Sequence, residues 1–93
     1  MSQPQRALDN KAVATVFYET ADLMEIKGED PFRIRSYRRA AEAIEALGEP
    51  IADLIADQKR LLAIPGIGKS MCGHLQQLFK DGKLALHTEL LEK

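Results

Sequence analysis

Apolar residues recur at helical spacing along almost the whole chain. Val13, Val16, Phe17, Ala21 and Met24 fall three to four apart, which predicts a helix with one buried stripe. Asp9 or Asn10 can cap its start, and it should run to about Lys27, before Gly28. A second start is marked by Asp30 and Pro31: the aspartate caps, and proline at the first helical position gives up an N–H that has no partner there. Ile34, Tyr37, Ala41 and Ile44 mark the inner face of this helix and Gly48 its end, with Arg35, Arg38 and Arg39 turned to water. After Pro50, the spacing of Ile51, Leu54 and Ile55 predicts a short third helix, and Lys59–Ala63 a further short one. A last long helix is expected from about Lys69 to Asp81, burying Met71, Leu75, Leu78 and Phe79 and stopping at Gly82. Leu84–Leu91 can add one or two turns, and the polar residues 1–8 are expected to be flexible. No stretch alternates with period two for long enough to form a strand. The expected fold is therefore all-α: a compact bundle of four main helices plus short helical turns, occupying residues 9–93.

Composition narrows the class without naming a function. The 45% apolar and 29% charged residues are ordinary for a soluble domain, and 93 residues suffice for one core. A single cysteine, Cys72, rules out an internal disulfide and gives no support to a cysteine-based zinc site. A reducing cytoplasm fits best, and no apolar run reaches membrane length. Net charge is −1, yet its distribution is uneven. Residues 1–30 hold six acids against three bases, the remainder ten bases against eight acids, and four bases crowd into Arg33–Arg39. Local basic charge suits docking on a phosphate backbone better than wrapping long nucleic acid.

The chemistry concentrates at Ile64-Pro65-Gly66-Ile67-Gly68, between two helical patterns. Pro65 blocks continuation of the first, and Gly66 and Gly68 are expected to permit positive φ and close backbone approach. Ile67 can plug the turn into the core. The helix that begins at Lys69 starts with N–H groups that have no internal partner, and its dipole favours an anion. Together these make a site for a phosphate oxygen, with Lys69 adding a mobile positive charge. A plain turn between packed helices is the alternative for a bare Pro-Gly-x-Gly. The flanks weigh against it: Leu61, Leu62 and Ile64 before the turn, and Cys72, Leu75 and Leu78 after it, are apolar where a packed helical hairpin needs them. Cys72 is also small, as close helix approach requires, and reads as inert core.

The string LLAIPGIGKSMCGHLQQLFKDGKL resembles the helix-hairpin-helix of the N-terminal eight-kilodalton domain of family X DNA polymerases, the polymerase beta group. Upstream, NKAVATVFYETADLMEIKGEDPFRIRSYRRAAEAI resembles the start of the bacterial members. The likeness covers roughly residues 10–90, with two separate motifs in the right order and spacing. It implies a domain that binds gapped, nicked or 5′-phosphorylated DNA through backbone contacts, without reading bases. It also implies a monovalent cation, K⁺ or Na⁺, held by hairpin carbonyls when DNA is bound. Carried over, those carbonyls belong to Leu62, Ile64 and Ile67, and the phosphate-binding amides to Gly66, Gly68, Lys69 and Ser70. Such binding is sequence-tolerant and steeply salt-dependent.

The polymerase beta domain is also a lyase that removes 5′-deoxyribose phosphate through a lysine Schiff base. The matching position here is His74, and imidazole cannot form that iminium. The family's basic phosphate contacts fall on Phe32, Arg33, Leu62 and Ser70, of which only Arg33 keeps its charge. Tyr37 matches the family's pocket tyrosine, although its place on the inner stripe suits packing equally well. His74 is either a phosphate contact or a solvent-facing helical residue; a compensating amine would come from Lys69, Lys80 or Lys83. Arg33 and Arg35 are the better candidates for DNA, since Arg38 and Arg39 can pair with Glu42 and Glu45 one turn on.

The leading expectation is thus a sequence-nonspecific DNA-binding domain with no catalytic residue, acting in DNA repair. It would serve as part of a family X polymerase or as a relative of one, in the bacterial cytoplasm and on the nucleoid when DNA-bound. These residues hold no second domain to carry a polymerase's paired aspartates. Near-neutral charge and the thinned phosphate pocket motivate the rival, a protein-interaction domain; 5′-deoxyribose phosphate lyase comes third.

Overall fold

Aspartates open three of the four helices in the computed structural model, which describes residues 9–81. Asp9 accepts from the Ala12 amide at 2.8 Å and starts α1, Asn10–Ile26. Asp30 accepts from the Phe32 amide at 2.9 Å and starts α2, Pro31–Glu45, with the proline at its first position as expected. Asp57 accepts from Lys59 and Arg60 and starts α3, Gln58–Leu62. The last helix, α4, spans Lys69–Asp81. Gly82, the turns expected at Leu84–Leu91 and the flexible start at 1–8 lie outside the described residues. Among those described there is no strand, and no helix is long and apolar enough to cross a membrane. The fold is all-α, as the periodicity predicts.

The principal unit is the α1–α2 pair. Gly28, at φ +76, closes α1 by a Schellman arrangement: its amide bonds Glu25 O and the Glu29 amide bonds Met24 O. The chain then turns directly into α2. Ala14 and Ala21 of α1 and Ala40 and Ala41 of α2 are fully buried, so small side chains let the helices approach. The buried hydroxyl of Thr20 returns a 2.7 Å bond to Val16 O in its own helix and is left satisfied. Arg38 reaches back across the pair to Asp22 and Glu25 at 2.9 and 2.7 Å, and Tyr18 donates to Glu45 at 3.0 Å. Those cross-links set the two helices antiparallel.

Several expectations are corrected here. The second helix ends at Glu45, three residues before Gly48, because the Leu47 amide turns tightly onto Ile44 O and the chain drops toward the core. The expected third helix is only a 3₁₀ turn, Ile51–Asp53; Ile51 and Leu54 are buried three apart, the period of that tighter helix. Asn10 pins it, accepting from the Ile51 amide at 2.7 Å and donating to Glu49 O at 2.9 Å. Leu62, expected to pack inward, is 38% exposed. Val16 and Phe79 are only partly buried. Arg38 pairs with α1 rather than with Glu42 or Glu45.

Candidate functional site

The hairpin is built from the end of α3. Its carbonyls are used as far as the turn allows: the Ile64 amide bonds Leu61 O at 3.1 Å and the Ile67 amide bonds Ile64 O at 3.0 Å. Proline followed by a positive-φ glycine between Ile64 and Ile67 is the residue pattern of a type II turn. Gly66 has φ +97, and a Cβ there would lie 3.2 Å from Arg39 O and 3.4 Å from Ala43 Cβ on α2. The turn is therefore pressed against the α2 backbone at its one glycine that must be glycine. Gly68 differs from expectation: its φ is not positive and nothing lies within 4 Å of a Cβ placed there. Its role is at the start of α4, where its carbonyl takes the Cys72 amide at 2.9 Å. Ile67 is 4% exposed and plugs the turn into the core, and Cys72 is fully buried, both as expected.

This docking leaves a cleft of ≈ 680 Å³ between α2 and the start of α4. Arg33, Ser36, Tyr37 and Arg39 line it from α2, Gly66, Ile67 and Gly68 from the turn, and Lys69, Ser70, Met71 and His74 from α4. Among the described residues three cations line it and no carboxylate does. Gly68 has no side chain to cap α4, and the first turn of α4 holds no acid. The amides of Lys69, Ser70 and Met71 thus open into the cleft at the positive end of the helix dipole.

At the back of the cleft, Tyr37 and His74 form a pair. The Tyr37 hydroxyl lies 3.1 Å from His74 Nε2, and the two rings stack with centroids 5.5 Å apart. On its other side Tyr37 packs at 5.8 Å on Phe17 of α1. Tyr37 is 1% exposed, so the packing and pocket roles weighed for it coincide: the ring is core and the hydroxyl is cleft. Burial raises the Tyr37 pKa above 10.0, partly offset by the Arg33 charge, so the hydroxyl keeps its proton. Burial, and then the same Arg33 charge, hold His74 below 6.5. His74 is therefore neutral at neutral pH.

Of the residues expected to contact phosphate, the fold brings together Gly66, Gly68, Lys69, Ser70, Arg33, Tyr37 and His74. Arg35 is not among them: its guanidinium lies 5.6 Å from the centre of the exposed Phe32 ring, outside the cleft. Arg33 is not without a partner either, since Glu29 lies 3.8 Å away one turn back. Ser36 and Arg39 line the cleft and were not singled out for it. Their signal was present in the sequence, because 33, 36 and 39 recur at helical i, i+3 spacing on the face that carries Tyr37. Arg39 makes no ion pair among the described residues, in contrast to Arg38.

Leu62 ends α3, and Ile64 and Ile67 flank the turn that follows; carbonyls at a helix C-terminus lack internal partners and carry negative partial charge. Ile64 O already accepts the Ile67 amide. Among the described residues no group of His, Cys, Asp or Glu is placed to hold a metal ion.

The DNA polymerase/3′-5′ exonuclease PolX of Bacillus subtilis (strain 168) is 25% identical over 76 residues, which are 82% of this chain and 13% of that protein. The chain thus spans a small fraction of that relative's length. The helix-hairpin-helix domain family matches residues 8–84, taking in both the α1–α2 pair and the hairpin docked on it. The chain belongs to the helix-hairpin-helix domain family.

Proposed function

We propose that this domain binds DNA by its phosphate backbone, without base specificity, at the cleft between α2 and the start of α4. One observation carries the reading: a chain of net charge −1 gathers Arg33, Arg39 and Lys69 around a helix start that Gly68 leaves without a side-chain cap, and among the described residues no carboxylate joins that lining. The free amides of Lys69 and Ser70 supply directional donors, and the side-chain cations supply attraction. Gapped, nicked or 5′-phosphorylated DNA is the preferred form, because a terminal phosphate can enter a cleft that a continuous duplex can only touch. The hairpin carbonyls of Leu62, Ile64 and Ile67 would hold K⁺ or Na⁺ against a neighbouring phosphate. The similarity to a DNA polymerase/3′-5′ exonuclease supports a polymerase setting, and the domain is proposed to act in DNA repair alongside the remaining domains of a family X polymerase.

Binding of a gapped duplex, followed from low to moderate salt, tests this. Affinity should fall steeply with salt, and Lys69→Ala should lower the slope of log K against log salt by about 1. Absence of binding at low salt would reject the proposal. It would favour a protein-contact role instead, for which the exposed Ile26 and Phe32, 80% and 72% accessible, are the natural surface.

The same cleft is not proposed as a lyase. The residue at its back is a neutral histidine, and imidazole cannot form the Schiff base that drives sugar-phosphate elimination. Lys69 is the primary amine in the lining, and it sits beside the helix start rather than against Tyr37. Borohydride treatment with abasic-site DNA should leave the protein unmodified; a covalent adduct would assign Lys69 a catalytic part.

A further inference from the structure

The cleft holds a feature that phosphate binding alone does not require. Its back wall is a hydrogen-bonded Tyr37–His74 pair, half sheltered from solvent, where a plain anion site would place fixed positive charge. Arg33 of α2 is the charged group that acts on both rings, Arg39, Lys69 and Ser70 line the same cleft, and Phe17 of α1 closes the far side of Tyr37. Among the described residues no carboxylate lines the cleft, and Glu29, 3.8 Å from Arg33, is outside the lining. The described lining therefore offers His74 a cation and no anion to stabilise a second charge. A bound ligand would provide one.

We infer that His74 is a specificity-determining residue that takes up a proton when a terminal phosphate enters the cleft, so that binding of 5′-phosphorylated DNA is proton-linked. This rests on the DNA-binding reading above and extends it to the charge state of the ligand. In the empty cleft the Tyr37 hydroxyl donates to His74 Nε2 and the ring carries its proton on Nδ1. A phosphate monoester is largely dianionic at neutral pH, its second pKa being about 6. Its approach favours the imidazolium, because an opposite charge nearby stabilises the charged form. The proton comes from solvent and settles on Nε2. Nε2–H then donates to the Tyr37 oxygen, which frees the tyrosine O–H to turn outward to a phosphate oxygen. One proton therefore creates one positive charge and one new donor, both at the back of the cleft. A phosphodiester carries a single charge and does not titrate in this range, so it draws the proton less strongly. The device discriminates between an end and a continuous strand.

Calorimetry on the whole chain, in two buffers of different ionisation enthalpy near pH 7, reads the proton directly. The ligands are a gapped duplex with a 5′-phosphate at the gap and the same duplex with a 5′-hydroxyl. The expected result is net proton uptake with the phosphorylated gap, larger than with the hydroxyl one. Affinity for the phosphorylated gap should rise by up to about tenfold per unit fall in pH above the phosphate's own pKa. His74→Gln should abolish the difference in uptake between the two duplexes. A second reading needs no variant: the imidazole resonances of His74 in the wild-type chain should titrate at higher pH with phosphorylated DNA than without. Binding of both duplexes with equal uptake, or an unmoved His74 titration, overturns this inference and leaves the DNA-binding proposal standing. Failure of both duplexes to bind at low salt overturns the DNA-binding proposal and this inference with it.

Discussion

Two glycines two positions apart carry quite different constraints. Gly66 combines positive φ with backbone contact at 3.2 Å to Arg39 O, so Gly66→Ala should cost about 1–3 kcal/mol in a urea or guanidinium titration. Gly68 has ordinary φ and open space around it, so Gly68→Ala should bring no strain and cost at most about 1 kcal/mol, from the poorer cap. Sequence alone gave both the same expected role, since spacing cannot say which of two glycines meets the neighbouring helix. His74 adds a pH term. Its folded pKa lies below 6.5, so the unfolded chain binds more protons as the pH falls past that value. Its contribution to stability is complete above about 6.5 and is lost progressively below, down to the folded pKa. Denaturant midpoints measured at pH 5 and pH 7.5 should differ less in His74→Gln than in the unmodified chain.

At the scale of elements, the contrast among helix starts matters most. Aspartate caps α1, α2 and α3, while the residue before α4 is Gly68, which has no side chain to cap with. Gly68→Asp should therefore have opposite effects on two observables. Stability should rise by a few tenths of a kcal/mol, from a better cap and a favourable dipole. Affinity for gapped DNA should fall, because a carboxylate then occupies the place of the phosphate. A simultaneous loss of stability and binding would mean that the α4 start is structural only. Long helices with caps were legible in the chain: α1, α2 and α4 follow from periodicity, and Asp30-Pro31 fixed the start of α2 to the residue. The segment between Gly48 and Asp57 was not, because three apolar positions cannot distinguish a 3₁₀ turn from a short α-helix. Its form depends on Asn10, some forty residues away in sequence, bonding Glu49 and Ile51.

For the molecule as a whole, the arginine cluster shows where sequence stops. Arg33, Arg35, Arg38 and Arg39 look like one basic patch, yet the fold sends them to three surroundings. Arg33 and Arg39 line the cleft, Arg35 lies over Phe32, and Arg38 ties α2 to α1. The acids that hold Arg38 lie on another helix, so local i, i+4 spacing pointed it to the wrong partners. Arg39→Ala should weaken DNA binding and flatten its salt dependence, whereas Arg35→Ala should change neither by more than a small factor, as read in the same titration. The segregation of charge also has a kinetic meaning. Arg33, Arg39 and Lys69 line the cleft while Glu19, Asp22 and Glu25 lie on α1, and the field of a polyanion turns a body with charge so separated before contact. Association should then be faster than random collision permits, with the cleft foremost, and should slow as added salt shortens the reach of that torque.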